Sequence, residues 1–170
     1  MQLTQIELKD LVTQIADETA LKIVKYLLGK EDISEFVIAE TLKITVNEVR
    51  NKLYKLQAHN LVSSTRRKDK EKGWYIYYWT FKDKDAYELY FVFKKKKRDD
   101  LVKEIADEDA HNYLICDKSC NRMTFEEALE QNFKCYSCGG VLKEEVKKKN
   151  VSIMKKEILV LDKELAKVKV

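Results

Sequence analysis

Helical periodicity through the first sixty residues, a single aromatic strand after it and two close cysteine pairs predict an α+β chain, mainly α. The 170 residues include no proline and 4 glycines, a composition that favours long helices with few sharp breaks. At this length one large or two small domains are expected.

The first helix spans residues 4–15, opened by Thr4 and Glu7 in capping-box spacing. Leu8, Leu11, Val12 and Ile15 form its apolar stripe. A second helix runs from about Thr19 to Leu28, with Gly29 as its stop. Asp32 is the expected cap of a short third helix, with Glu35 completing a second box. Thr45 and Glu48 then open the clearest helix, whose Val46, Val49, Leu53 and Leu56 repeat on one face. Asn60 can end it in a left-handed turn, with His59 a surface or capping residue. A candidate strand at residues 61–65, a charged tip, Gly73 and the strand W-Y-I-Y-Y-W follow. Three helices and a two-stranded hairpin in that order describe a winged helix, an elaborated helix-turn-helix, here over residues 1–82 and extended at its N-terminus.

A winged helix of the ordinary kind reads bases with its last core helix. Here that helix offers Asn47, Arg50, Asn51, Lys55 and Gln57 beside Glu48, a weakly basic face and a poor case for sequence-specific readout. The wing is more basic, with Arg66, Arg67, Lys68, Lys70 and Lys72 against Asp69 and Glu71. It reads equally as a phosphate contact and as a solvated hairpin tip. Alternation puts Trp74, Ile76 and Tyr78 on one face of the aromatic strand and Tyr75, Tyr77 and Trp79 on the other. One face fits a small core; the other needs cover from flanking helices, from a partner protein or from DNA.

Residues 83–111 read as a helical linker, one long helix or a broken one, capped by Asp83 or Asp85. The basic run at residues 94–98 interrupts its stripe, as an exposed spacer near phosphates would. A zinc ribbon is expected over residues 112–146. Cys116-x3-Cys120 and Cys135-x2-Cys138 lie fourteen residues apart, and the chain has no other cysteine. Two such pairs match a zinc site, in which four thiolates fill a tetrahedral shell and leave no place for an activated water. That implies one structural Zn2+ and argues against a zinc hydrolase. Gly139 and Gly140 suit a tight metal-binding turn, and Asn121 is the residue expected to turn left-handed after the first pair. Two disulfides are the competing reading, disfavoured in a reducing compartment. Phe125 and Phe133 are the expected plugs of this small domain, and His111 is not needed as a ligand.

The tail, residues 147–170, carries a heptad seam at Val151, Met154, Ile158, Leu161, Leu165 and Val168. Too short to be stable alone, it must pack on this chain, on a second copy or on a partner, and a partner is favoured. No nucleophile–base pair is visible, so an enzyme is not expected. Lys and Arg number 33 against 29 Asp and Glu, a net charge of +4 that leaves any nucleic-acid contact to local clusters. No apolar run approaches a membrane span, and a cytoplasmic, nucleoid-associated protein without a small-molecule substrate is expected.

T-V-N-E-V-R-N-K-L-Y-K-L, the wing G-W-Y-I-Y-Y-W and T-F-E-E-A-L-E-Q-N-F-K-C-Y-S-C-G-G, in this order, resemble the α subunit of archaeal transcription factor E, related to that of eukaryotic general transcription factor IIE. The likeness covers most of residues 1–145; the x3 spacing of the first pair departs from the usual C-x2-C. The resemblance implies a basal initiation factor whose winged helix sits on the RNA polymerase clamp and whose ribbon lies toward the stalk. It implies promoter melting and open-complex stabilisation with the TATA-binding protein and a TFIIB-like factor, a β subunit being left open. On this chain it would place Arg66, Arg67, Lys68 and Trp74 near the non-template strand or the clamp. Tyr75, Tyr77 and Trp79 would form an aromatic surface or the packing behind it. The competing reading is a gene-specific DNA-binding regulator dimerised through its C-terminal helix.

Overall fold

A computed structural model describes residues 2–68, 73–145 and 148–166, with side chains of the last segment described from residue 151. The chain divides into two compact units, residues 1–92 and 93–170.

The first unit begins with α1 (Gln5–Ile15), where Thr4 and Glu7 form the expected reciprocal box. Asp17 caps α2 (Glu18–Leu27) by accepting from the Ala20 N–H. The α2 helix carries Leu21, Ile23, Val24 and Leu27 into the core. Gly29 follows at φ 69°, the left-handed turn that ends the helix. Next come a two-residue strand β1 (Ile33–Ser34) and α3 (Glu35–Leu42), capped by Ser34. The expected Asp32 cap is therefore corrected: Asp32 is itself left-handed at φ 53° and donates its N–H to Thr80 Oγ1. Glu35 closes no box either. Its side chain is fully buried and grips the Arg50 guanidinium through two hydrogen bonds of 2.9 and 2.6 Å. A buried carboxylate needs such a partner to offset lost hydration.

Thr45 caps α4 (Val46–Ala58), which buries Val49, Leu53 and Leu56. His59 is its C-cap, and Asn60 turns left-handed at φ 59°. β2 (Val62–Lys68) and β3 (Tyr75–Phe81) form the hairpin, both reaching beyond the expected strands. β1 adds a third strand on the far side of β3, giving the order β1-β3-β2. In the β2–β3 register Val62 faces Phe81, Ser64 faces Trp79 and Arg66 faces Tyr77. That face runs from the core outward, so Trp79 and Phe81 are buried while Tyr75 is exposed. Burial of one face is what a half-covered antiparallel sheet requires.

α5 (Asp83–Ala110) carries the chain into the second unit as one continuous helix. The basic run does not interrupt it, because lysine and arginine are good helix formers and find acidic partners here. Beyond it lie β4 (Tyr113–Cys116), β5 (Arg122–Thr124), α6 (Phe125–Glu130) and β6 (Leu142–Glu144). The three strands pair antiparallel in the order β5-β4-β6. Leu114, Met123, Ala128 and Leu142 make the small core with Cys116 and Cys135, and Phe133 packs against it. Phe125 was expected as a second plug, but it stands 45% exposed with only an edge contact to Phe133. Arg122 braces the module, pairing with the buried Glu108 and with Glu145 and lying over the Tyr113 ring.

The last helix, α7 (Lys148–Leu165), is joined to α5 by ion pairs within the same unit. Leu161 of its seam is buried, and Val151, Met154, Ile158 and Leu165 are half-buried. These ion pairs set α7 beside α5 of the same chain; Val168 lies outside the described residues.

Candidate metal centre and wing surface

Two turns bring the four cysteines together. Cys116 ends β4, and its carbonyl accepts the Ser119 N–H at 2.7 Å. Ser119, at φ 53°, takes the left-handed position expected of Asn121. The extra residue in the first pair shifts that bend one step before Cys120. In the second turn the Gly139 N–H reaches the Cys135 carbonyl at 2.7 Å, with Gly139 at φ 70°. The second glycine is constrained by space rather than by φ. A Cβ on Gly140 would lie 3.3 Å from Cys138 Sγ and 3.6 Å from Cys116 Sγ.

All four Sγ atoms lie within 4.8 Å of one another, and Cys116 and Cys138 are 3.5 Å apart. Zn–S bonds of about 2.3 Å in a tetrahedron put sulfurs about 3.8 Å apart, so the donor set can close on one ion with little movement. The four cysteines are free thiols. His111 is outside the cluster, its ring nitrogen 3.2 Å from the Asp107 carbonyl.

Asn121, missed in that role from the sequence, supports the sulfurs. Its Nδ2 donates to Cys135 Sγ at 3.2 Å and to Ser137 Oγ at 2.6 Å. Burial opposes ionisation of Cys135. The Asn121 amide and the Cys138 and Ser137 N–H groups outweigh it and bring the thiol down to about 6. Cys120 moves the other way, pushed up to about 12 by its hydrogen bond with Cys138, by burial and by Cys116. Sulfurs packed this closely cannot all ionise without a cation among them. Hydrogen bonds to ligating atoms from a surrounding amide are a usual feature of metal sites.

On the wing, Arg66 lies over the Tyr75 ring at 3.5 Å and Arg67 over Tyr78 at 4.9 Å. Arg67 is also paired with Asp32. Lys68 is exposed, Trp74 and Tyr75 are 57% and 48% exposed, and Tyr77 is half-buried. Trp79 is fully buried and meets the edge of Tyr54. It belongs to the packing behind the aromatic surface. Lys70 and Lys72 lie outside the described residues. On α4, Arg50 is held by Glu35, and Gln57 reaches Ser64 Oγ at 3.3 Å. The helix therefore presents less to a DNA groove than its sequence suggests.

The family model of the TFIIE alpha subunit matches residues 7–112, well over half of the chain. The chain belongs to that family. Transcription factor E of Metallosphaera sedula is 34% identical over 161 residues, 94% of this chain and 92% of that protein. The Cenarchaeum symbiosum protein of that name is 35% identical over 133 residues, 78% of each chain. The one from Methanococcus maripaludis is 29% identical over 94% of this chain and 93% of its own. Among solved structures, a "possible transcriptional regulator" from Methanosarcina mazei aligns with a TM-score of 0.52 and 17% identity. It covers 58% of this chain and 86% of its own, a likeness that shows the fold alone. The family is one of general transcription factors, and no described helix is long and apolar enough to cross a membrane.

Proposed function

We propose that this chain is a basal initiation factor that binds RNA polymerase at the promoter and stabilises the melted state. The observation that carries the reading is the family match across residues 7–112. The mechanism is differential affinity: a factor shifts an equilibrium only as far as it binds one state better than the other. Here the favoured state is the open, clamp-loaded polymerase assembled with the TATA-binding protein and a TFIIB-like factor. Arg66, Lys68, Trp74 and Tyr75 are the described wing residues offered to the non-template strand or the clamp, with Lys70 and Lys72 beside them in sequence. Contact through protein surfaces needs little phosphate neutralisation, in keeping with a net charge of +4.

In this reading one Zn2+ sits among Cys116, Cys120, Cys135 and Cys138 and serves as a structural crosslink. Four thiolates satisfy its coordination, and the turns at Ser119 and Gly139 aim them at one point. The ribbon then presents a fixed surface to the polymerase stalk.

A gene-specific regulator would bind a defined duplex by itself and dimerise through α7. Pairing of α7 with α5, and of Arg50 with Glu35, supports the first reading over that one. Native gels of polymerase–promoter complexes test it. The factor is expected to join the complete assembly and to leave a duplex without polymerase unshifted at physiological salt. A discrete footprint from the factor alone would reverse the assignment.

A further inference from the structure

Each of the three acidic side chains of α7, Glu157, Asp162 and Glu164, faces the basic run of α5. Lys97 meets Glu157 at 2.6 Å, Arg98 meets Asp162 at 3.1 Å and Lys94 meets Glu164 at 3.3 Å. Arg98 is shared with its neighbour Asp99 at 2.9 Å. Lys155, Lys156 and Lys163 of α7 are exposed, as are Lys95 and Lys96 of α5. Among the described side chains of α7, the three carboxylates pair with the run and the lysines are exposed.

The apolar grip of α7 is slight. Leu161 is its one buried apolar side chain among the described residues, Val151, Met154, Ile158 and Leu165 are half-buried, and Ile153, Leu159 and Val160 are more than half exposed. Ion pairs that are partly open to solvent are individually weak and yield to salt or to a competing polyanion. A helix held mainly by three such pairs is displaceable. Five consecutive cations are a poor way to build a structural seam and a good way to neutralise phosphates.

We propose that the basic run at residues 94–98 is a binding strip for the phosphate backbone of duplex nucleic acid, and that α7 is its displaceable cover. The strip is separate from the wing, and the inference does not rest on the initiation reading, because it needs no polymerase. Substituting the cover, with Glu157→Gln, Asp162→Asn and Glu164→Gln together, removes its three carboxylates from the run. Each further phosphate contact steepens the salt dependence of log K by about 0.9, or about 3- to 4-fold in affinity between 50 and 200 mM salt.

The test is fluorescence anisotropy of a labelled random-sequence duplex against the full chain across that salt range. The wild type is expected to bind weakly, and the triple variant more tightly at low salt with the steeper slope. Adding Lys94→Gln, Lys97→Gln and Arg98→Gln should remove the gain. Glu31→Gln, Glu40→Gln and Glu130→Gln, which change net charge equally but lie outside α5 and α7 in the chain, should leave the slope near wild type. The proposal is overturned if the distant control gains as much, if the triple variant gains nothing, or if the gain survives neutralisation of the run. Circular dichroism of each variant, with helix content unchanged, confirms that the comparison is between folded chains.

Discussion

Glu35 and Arg50 show how one pair can settle both stability and function. The Glu35 carboxylate is fully buried, while Arg50 keeps part of its surface in solvent. Removing the arginine leaves a charge with no compensation, so Arg50→Ala should cost about 3 kcal/mol or more in urea unfolding. Glu35→Met with Arg50→Met should cost far less, since nothing charged is then stranded. The same pair takes Arg50 out of the face that α4 offers to a groove. Arg50 sits at a position where helical spacing alone suggests base readout, and its partner fifteen residues away leaves no local signal. Asp17 gives a pH-dependent counterpart. Its hydrogen bond with Lys52, and then the capping bond from Ala20, lower its folded pKa below 3.8. Its contribution is complete above 3.8 and is lost as pH falls through the lower folded value. Asp17→Ala should therefore cost about 1 kcal/mol near neutrality, and the gap to wild type should close below pH 4. Measuring both proteins in urea at pH 7, 5 and 3 checks the sign. An unchanged gap at pH 3 would contradict it.

At the scale of elements, the aromatic strand behaves as its alternation says. Trp79 and Phe81 anchor the hairpin, and Tyr75 and Arg66 carry the same face out to solvent. Trp79→Ala should cost about 3 to 5 kcal/mol, seen as a lower urea midpoint, because it empties the largest fully buried side chain. Replacing the exposed Trp74 with alanine should leave the midpoint nearly unchanged. Helix starts at Thr4 and Thr45 were legible in the amino-acid sequence because an N-cap hydroxyl is a local device. The same cue failed at Asp32, where a two-residue strand pairs with β3 and moves the cap to Ser34. A strand so short has no period to detect. The heptad seam of α7 was equally visible, but a seam names a face and not its occupant, and the ion pairs to α5 depend on tertiary placement. The thiol cluster was the most legible part, since thiol pairs at this spacing have few other uses. Its supports, Asn121 and the crowded Gly140, depend on how the two turns meet.

At the scale of the whole molecule, the two units draw on different sources of stability. The first has a core built from four helices and a sheet, whereas the ribbon core of the second is a handful of side chains around the thiols. A domain of that size depends on its crosslink. Chelation should therefore release about one zinc per chain. It should also abolish the cooperative unfolding of the ribbon while leaving the urea transition of the first unit in place. Cys120→Ser should reproduce the loss. Retention of both transitions in excess chelator would show that the ribbon holds without metal. The central claim remains that the chain favours melted promoter DNA. Permanganate reactivity of thymines near the start site measures this most directly, in assemblies of polymerase, TATA-binding protein and TFIIB-like factor with and without the chain. The account predicts higher reactivity when the wild-type chain is present, and a smaller rise when Arg66, Lys68, Trp74 and Tyr75 are replaced by alanine. Equal reactivity with and without a zinc-loaded chain that has joined the assembly would contradict it.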